Sequence, residues 1–232
     1  LIKSEKEGAW KKMARQVAHE IKNPLTPMRL SVQYLERSFN DGAGRELYSD
    51  EWRNKLSEFS KTMIQQIDTL TRIANSFSDF ASLNVQNEEL FYIEEEIRRI
   101  VNLFKNNNVG FVSRGKHLKE VEVCIDKSHL TRVLNNLVKN SLQAPKENIP
   151  IKVVVELKTT KENCIVDVSD NGTGIPESVQ DRIFEPNFTT KNSGMGLGLA
   201  MVKKIIDDFG GAIDYSTSNK GTTFQLKIPL NK

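Results

Sequence analysis

A histidine near the front of the chain is the residue best suited by its surroundings to do chemistry. His19 lies in the run VAHEIKNPL, with Glu20 beside it and Asn23 four residues further along. In a helix, at about 100° per residue, His19 lies roughly 200° from Val17 of the apolar stripe, so its imidazole is expected to face solvent. A neutral imidazole, with an ordinary pKa of about 6.5, keeps one nucleophilic ring nitrogen. A lone exposed histidine is more often simply hydrated, so His19 alone does not decide the matter.

Two prolines interrupt the same helix. Pro24 removes a backbone donor and crowds the carbonyl of Glu20, and Pro27 does the same one turn later. Each costs on the order of 3 kcal/mol in a helix interior. The sequence therefore predicts a helix that bends just past His19, and strain beside a polar cluster indicates a functional site.

Two amphipathic helices are predicted in the first third of the chain, because apolar residues recur there every three or four positions. The first stripe is Trp10, Ala14, Val17, Ile21, Leu25, Met28, Val32, Leu35 and Phe39, and the second is Trp52, Leu56, Phe59, Met63, Ile67, Leu70, Ala74, Phe77 and Ala81. Two helices with one stripe each cannot enclose a core. Two copies of the hairpin are predicted to form a four-helix bundle, and thus a homodimer. The alternative is one hairpin packed against the C-terminal domain of its own chain.

Composition narrows the class of protein. The chain has 232 residues, 38% of them hydrophobic, and a net charge of +3, which is too mild to argue for nucleic acid binding. Cys124 and Cys164 lie in strand-like runs without metal spacing and are expected to be reduced core thiols. No apolar run approaches the roughly 18 residues that cross a bilayer. These residues are expected to be cytoplasmic and free of membrane contact. The start without Met, on a helix already under way, leaves open a longer protein anchored in the inner membrane.

The pattern changes from long helices to short alternating units after residue 82. We predict a helical domain over 1–82, a mobile linker over 83–90 and a second domain over 91–232. Strands are predicted at 90–92, 109–112, 121–125, 151–157, 164–168, 212–216 and 223–228, and helices at 93–105, 128–144 and 198–209. The predicted fold class is α+β, with an α/β sandwich following the helical domain.

The second domain carries several polar and glycine clusters. In the helix 128–144, Asn136 and Asn140 share a face, and an asparagine carbonyl suits Mg²⁺ that bridges to substrate phosphates. Asp170 follows a strand directly, and the next glycines, Gly172 and Gly174, permit close approach of a flat ring whose exocyclic amine the carboxylate could bind. Each cluster has an ordinary alternative: solvated asparagines in the first case and a tight turn in the second.

Two more clusters follow. The run 182–191 is polar, aromatic and broken by proline, which is typical of a mobile lid. Beyond it, Gly194, Gly196 and Gly198 precede a helix, where free backbone amides can bind phosphate oxygens. The spacing fits neither a Rossmann nor a Walker motif.

These motifs occur in one order: His-Glu-x-x-Asn-Pro, Asn-x-x-x-Asn, Asp-x-Gly-x-Gly, Phe-Glu-Pro and Gly-x-Gly-x-Gly. In that order they resemble the catalytic core of bacterial sensor histidine kinases over essentially the whole chain. The first helix, MARQVAHEIKNPLTPMRLSVQYLERSF, is especially similar to the NtrY and NtrB nitrogen-regulation branch. The resemblance implies a dimerisation and phosphotransfer domain followed by a Bergerat-type ATP-binding domain.

The resemblance also implies roles for residues. His19 would be the phosphoacceptor, Glu20 would take its proton or hold its tautomer, and Glu20 with Asn23 matches a pattern that orients water to dephosphorylate a response regulator. The phosphohistidine would pass its group to an aspartate of that regulator.

The resemblance also implies residues that bind ATP and Mg²⁺. These are Asn140 as metal ligand, Asn136 and Lys139 near the phosphates, Asp170 with Gly172 and Gly174 at adenine, Phe184 as lid anchor, Lys191 as phosphate contact, and Gly194, Gly196 and Gly198 as lid hinge and phosphate cradle. The turn at Gly221 and Thr222 resembles a closing glycine box, although a simple strand-entry turn explains it equally well.

Three residues depart from the family pattern. Asn187 stands where an aromatic residue is frequent, and Ser141 and Gln143 follow Asn140 where alanine and a charged residue are common. Two other functions also remain open. A gyrase-like or MutL-like ATPase would share the ATP-binding fold but not the histidine-bearing hairpin, and a non-catalytic scaffold would not need the full set of nucleotide motifs.

Overall fold

The structure is a computed structural model that describes residues 17, 21–37, 50–81, 87–115, 118–186, 188–190 and 196–230. The chain divides into two compact units, Leu1–Ala81 and Ser82–Lys232. His19, Glu20, Lys191 and Gly194 lie outside the described residues, as does Asn187.

The first unit contains two long helices, α1, which is helical over 21–37, and α2 (Asp50–Ala81). Helix α1 continues through Pro24 and Pro27. The hydroxyl of Thr26 donates to the carbonyl of Lys22 at 3.0 Å, a contact that tends to bend helices. The predicted bend beside His19 falls outside the described residues and stays a prediction.

Much of the apolar surface of these helices remains open. Members of the predicted stripes are between 36% and 50% exposed, namely Ile21, Leu25, Val32, Leu56 and Ile67. Further apolar side chains off the stripes are more exposed still: Leu30, Tyr34 and Ile64. Exposed apolar side chains in this number favour an interaction face. No described helix of the chain is long and apolar enough to span a membrane.

Among its described residues, the second unit combines a mixed sheet with three α-helices, as the sequence predicts. In chain order its elements are β1 (Glu89–Tyr92), α3 (Ile93–Asn102), β2 (Val109–Ser113), a 3-10 helix (Leu118–Glu120), β3 (Glu122–Ile125), α4 (Lys127–Leu142), β4 (Val153–Thr159), β5 (Asn163–Asp170), a second 3-10 helix (Glu177–Arg182), α5 (Gly198–Asp208), β6 (Ala212–Ser218) and β7 (Gly221–Pro229). The predicted helices and strands are found within a few residues of their expected ends. Glu89 and Leu90 fall within the predicted linker, and Leu90 also within the predicted strand 90–92. Both belong to β1, where they pair with Ile125 and Cys124.

The main sheet has the strand order β2-β4-β5-β7-β6, in which β2 and β4 are parallel and the other neighbours antiparallel. Strands β1 and β3 form a separate two-stranded sheet. Along β7, Thr222, Phe224, Leu226 and Ile228 are buried while the residues between them are partly exposed. Helix α3 contacts β2, α4 contacts β4 and β5, and α5 contacts β6 and β7. The core therefore lies between one face of the sheet and the three helices.

The two cysteines are both free, and they differ in burial. Cys164, on the core side of β5, is fully buried, and burial raises the pKa of its thiol to about 12. Cys124 on β3 is only half-buried, so the expectation of two core thiols holds fully for Cys164 alone.

Asp126 fixes the start of α4. One carboxylate oxygen accepts from the backbone N–H groups of Ser128 and His129 at 2.8 and 3.1 Å, and the other accepts from the N–H of Asn87 at 2.8 Å. Burial alone would raise the pKa of Asp126, but these hydrogen bonds, and one from the hydroxyl of Ser128, outweigh it and lower the pKa from 3.8 to about 2. Asp126 thus caps a helix and fastens the first residues of the second unit to it.

We expect Asp126→Ala to lower the free energy of unfolding by about 1–2 kcal/mol at pH 7. Because the carboxylate has a lower pKa in the folded chain than in the unfolded one, its contribution is complete above about pH 4 and disappears as the pH falls towards 2. Urea denaturation of both proteins between pH 7 and pH 3 measures the difference. Asp214→Ala, at an exposed carboxylate paired with Lys227, should change stability by less than about 0.5 kcal/mol. A deficit in Asp126→Ala that stays constant over this pH range would contradict the assignment.

Candidate functional site

The centre of the candidate site is Asp170, the last residue of β5. Its Oδ1 accepts from the backbone N–H of Gly172 at 2.9 Å and from that of Thr222 at 3.1 Å. Its Oδ2 accepts from the hydroxyl of Ser141 at 2.9 Å. Three segments of the second unit therefore meet at one carboxylate. They are the end of α4, the loop after β5 and the start of β7. Its orientation is fixed by charge-assisted hydrogen bonds.

Glycines allow the backbone to close around this carboxylate. A Cβ at Gly172 would overlap the carbonyl oxygen of Ala144, and a Cβ at Gly221 would overlap the carbonyl oxygen of Asp170. Gly221 also has a φ of +132°, which side-chain-bearing residues rarely adopt. Gly174 has a φ of +77°. The glycines of this loop are thus required by close approach, and the loop is more than an ordinary turn.

Helix α4 supplies the amide side chains predicted from the sequence. Asn136 is half-buried, and its Nδ2 donates to the carbonyl of Arg132 at 2.9 Å. Its Oδ1 lies against the start of α5, where a Cβ at Gly198 would stand 2.8 Å away. Asn140 is half-buried one turn further on, and Lys139 is exposed. Asn136 and Asn140 therefore lie one turn apart on a single helix, as the sequence predicts. Through Asn136, this helix contacts the glycine-rich start of α5.

The segment that the sequence identifies as a lid is anchored at its first part. Phe184 packs edge-on against Tyr215 and Phe224, with ring centroids 6.0 and 6.5 Å apart. The hydroxyl of Tyr215 donates to the carbonyl of Gln180 at 3.1 Å. Phe184 is therefore held against β6 and β7, and its role as lid anchor stays a prediction. Of the predicted phosphate-binding glycines, Gly196 has a φ of +65° and Gly198 begins α5.

The predicted phosphoacceptor region is described only in part. Asn23 is exposed on α1. In the second unit, the structure brings Asp170 together with Gly172 and with the end of α4, and Asn136 with Gly198 at the start of α5. His19 lies outside the described residues.

Two site residues are missing from the sequence prediction. Ser141 appears there only as a departure from a family pattern, yet its hydroxyl binds Asp170. The sequence places Thr222 in a turn with two equally good explanations, and the backbone N–H of Thr222 also binds Asp170. The turn therefore both begins strand β7 and contributes a hydrogen-bond donor to the site. The sequence does show a small hydroxyl residue, Ser141, directly after Asn140 and an aspartate, Asp170, at a strand end. Only the fold shows that these two residues are in contact.

Comparisons with known proteins agree with this geometry. Residues 125–232 match the model of the histidine kinase-, DNA gyrase B-, and HSP90-like ATPases, and residues 9–86 match the His Kinase A phospho-acceptor domain. The second unit is therefore an ATP-binding domain of the class that these ATPases share. The chain as a whole belongs to the sensor histidine kinases, in the NtrY/NtrB branch.

Relatives of known name support this placement. Nitrogen regulation protein NtrY of Azorhizobium caulinodans is 32% identical over 235 residues, which cover 99% of this chain and 30% of that protein. Sensory histidine kinase/phosphatase NtrB of Vibrio alginolyticus is 27% identical over 97% of this chain and 63% of that protein. The chain spans about a third of the length of the NtrY and NtrY-like relatives that it matches.

Solved structures give the same class. The catalytic domain of histidine kinase ThkA is 32% identical, with a TM-score of 0.55, and the match covers 62% of this chain and 96% of that one. Histidine kinase ThkA in complex with response regulator protein TrrA is 28% identical, with a TM-score of 0.70 over 98% of this chain and 64% of that one. The predicted α+β fold class, a helical region followed by an ATP-binding domain, is confirmed.

Proposed function

We propose that this chain transfers the γ-phosphoryl group of ATP to His19 and then passes it to an aspartate of a response regulator. The observation that carries the proposal is the carboxylate of Asp170, which is fixed at the end of β5 by three donors, beside glycines that let the backbone pack closely around it. The segment that contains His19 matches a phospho-acceptor domain, and this match supports His19 as the residue that receives the phosphoryl group.

The proposed reaction follows from the residue types. A ring nitrogen of His19 attacks the γ-phosphorus in line, an N–P bond forms, the bond to the bridging oxygen breaks, and ADP leaves. Glu20 takes up the proton of the imidazole or holds its tautomer. Asp170 binds the exocyclic amine of adenine, and the backbone N–H groups at the start of α5, exposed by Gly196 and Gly198, bind phosphate oxygens. Phe184, Lys191 and Gly194 are assigned to the lid that closes over the nucleotide.

The side chains of α4 fit a magnesium ion. Amide oxygens are hard ligands, and the Oδ1 of Asn136 approaches the start of α5 so closely that a Cβ at Gly198 would stand 2.8 Å from it. Asn140 would hold the metal, with Asn136 and Lys139 near the phosphates. The ion, when bound, would neutralise charge on the phosphoryl oxygens.

The partners are inferred from surface and relatives. The open apolar residues of α1 and α2 favour association of two copies into a four-helix bundle, so the chain is proposed to act as a homodimer. The complex of ThkA with TrrA supports a response regulator as the phosphoryl acceptor. Glu20 and Asn23 are proposed to orient water for dephosphorylation of that regulator, which is in keeping with the name kinase/phosphatase of the NtrB relative. The domain limits 1–82, 83–90 and 91–232, and an inner-membrane anchor in a longer protein, stay predictions.

The proposal is tested by incubating the chain with γ-labelled ATP and Mg²⁺ and then exposing the labelled protein to acid and to alkali. Phosphohistidine is lost in acid and stable in alkali, so the label should show that pattern and should move to a receiver domain added afterwards. Steady phosphate release without labelled protein would favour a gyrase-like ATPase. Tight binding of a receiver domain without any labelling would favour a scaffold.

A further inference from the structure

Ser141 departs from the family pattern at a position next to the proposed metal ligand. It lies in the last turn of α4 and is 2% exposed, so its hydroxyl has almost no access to bulk water. A buried hydroxyl needs a partner, and that of Ser141 donates to Oδ2 of Asp170 at 2.9 Å. The residue that looks like a deviation in the sequence is thus in direct contact with the carboxylate at the centre of the site.

The hydrogen bonds of Asp170 leave one acceptor position of its carboxylate unoccupied among the described residues. An ionised carboxylate offers about four acceptor positions, two on each oxygen. The N–H groups of Gly172 and Thr222 occupy both positions on Oδ1, and Ser141 occupies one on Oδ2. Among the described residues, one acceptor position, on Oδ2, is left over for a ligand. A group that donates a hydrogen bond is accepted there, and a carbonyl oxygen is repelled.

Ser141 also determines where that last position points. Without its hydroxyl, Oδ2 would keep no donor among the described residues, and only the two N–H groups bonded to Oδ1 would hold the carboxylate. With the hydroxyl, both oxygens are tied to separate segments. Ser141 is adjacent to Asn140 on α4, so the same turn of helix that carries the proposed metal ligand also orients the carboxylate for the base.

We propose that Ser141 is a positioning residue for base recognition, which holds Asp170 so that its one remaining acceptor position selects a purine with an exocyclic amine over one with a carbonyl. This inference rests on the proposed function, because it assumes that the nucleotide binds at Asp170. It goes beyond that function by assigning the discrimination between the two kinds of purine nucleotide to the pair of side chains.

The test compares ATP with inosine triphosphate, which carries a carbonyl oxygen where adenine carries its amine. Dissociation constants for both nucleotides are measured on the whole chain and on Ser141→Ala. We expect Ser141→Ala to weaken ATP binding on the order of tenfold and to leave inosine triphosphate binding within about twofold, so the preference for ATP falls. A purely structural role would weaken both nucleotides alike.

Ser169→Ala is the matched control. Its hydroxyl is bonded to that of Thr223 at 2.9 Å on the face of the sheet away from the helices, one residue from Asp170 but without contact to its carboxylate. The preference for ATP should be unchanged in this variant. If Ser141→Ala does not fold, as judged by circular dichroism, Ser141→Cys keeps the volume and replaces the hydroxyl with a weak donor, and its preference for ATP should also fall.

The outcomes separate this inference from the proposed function. An unchanged ratio of the two affinities in Ser141→Ala, or in Ser141→Cys where the first does not fold, overturns the role of Ser141 while the labelling of His19 stands. Failure of the unaltered chain to bind ATP at all overturns the proposed function, and the role of Ser141 with it.

Discussion

His19→Gln should reduce the acid-labile label from γ-labelled ATP to background, a loss on the order of 10³-fold or more. Glutamine has similar reach and polarity, but its amide nitrogen is not a nucleophile, so no N–P bond can form. ATP binding should be unchanged, because the nucleotide-binding residues belong to the second unit. The measurement is the initial rate of labelling together with the dissociation constant for ATP on the same preparation.

The chain offers a matched control in a second histidine. His117→Gln removes an imidazole from the second domain and should label at the rate of the unaltered chain. Asn23→Ala is expected to retain the label as well, and to slow dephosphorylation of the regulator. Label that survives His19→Gln would show that another residue is the phosphoacceptor.

Asp170→Asn should weaken ATP binding on the order of 100-fold or more while leaving the fold intact. The asparagine oxygen can still accept from the N–H groups of Gly172 and Thr222, and its Nδ2 can donate to the hydroxyl of Ser141. Each of the three contacts thus keeps one hydrogen bond. However, the group now presented to the base is a donor, and it meets the amine of adenine with the wrong polarity.

The same substitution on the opposite face of β5 provides the control. Asp167 is 7% exposed and is bonded to Lys158 and Gln225, each at 3.0 Å. Asp167→Asn should leave ATP affinity within about twofold, although it removes one charge from the same strand. Calorimetric titration with ATP and a thermal melt of each variant are the measurements. Equal affinity in Asp170→Asn and the unaltered chain would contradict the assignment of Asp170 to the base.

Local pattern is sufficient for the secondary structure of the second unit. The alternation along β7 places Phe224, Leu226 and Ile228 on one side, and the structure buries all three. Helix α4 begins within one residue of its predicted start because Asp126 is a strong cap. The predicted linker 83–90 overlaps the predicted strand 90–92 at Leu90, and β1 begins at Glu89. The local pattern predicts this strand but not its partner, because Leu90 pairs with Cys124, which is far along the chain.

The amino-acid order by itself determined the class of the protein: two units, the family of each, and the residue types that a kinase of this family needs. Those features depend on periodicities and spacings within a few turns or strands, where neighbours in sequence are neighbours in space. Only the tertiary structure decided which groups hold Asp170. Ser141, Gly172 and Thr222 come from three separate elements, and Thr222 lies 52 residues from the carboxylate that it binds. Contacts of that kind arise from the packing of α4 and β7 on either side of the end of β5, which no local pattern encodes.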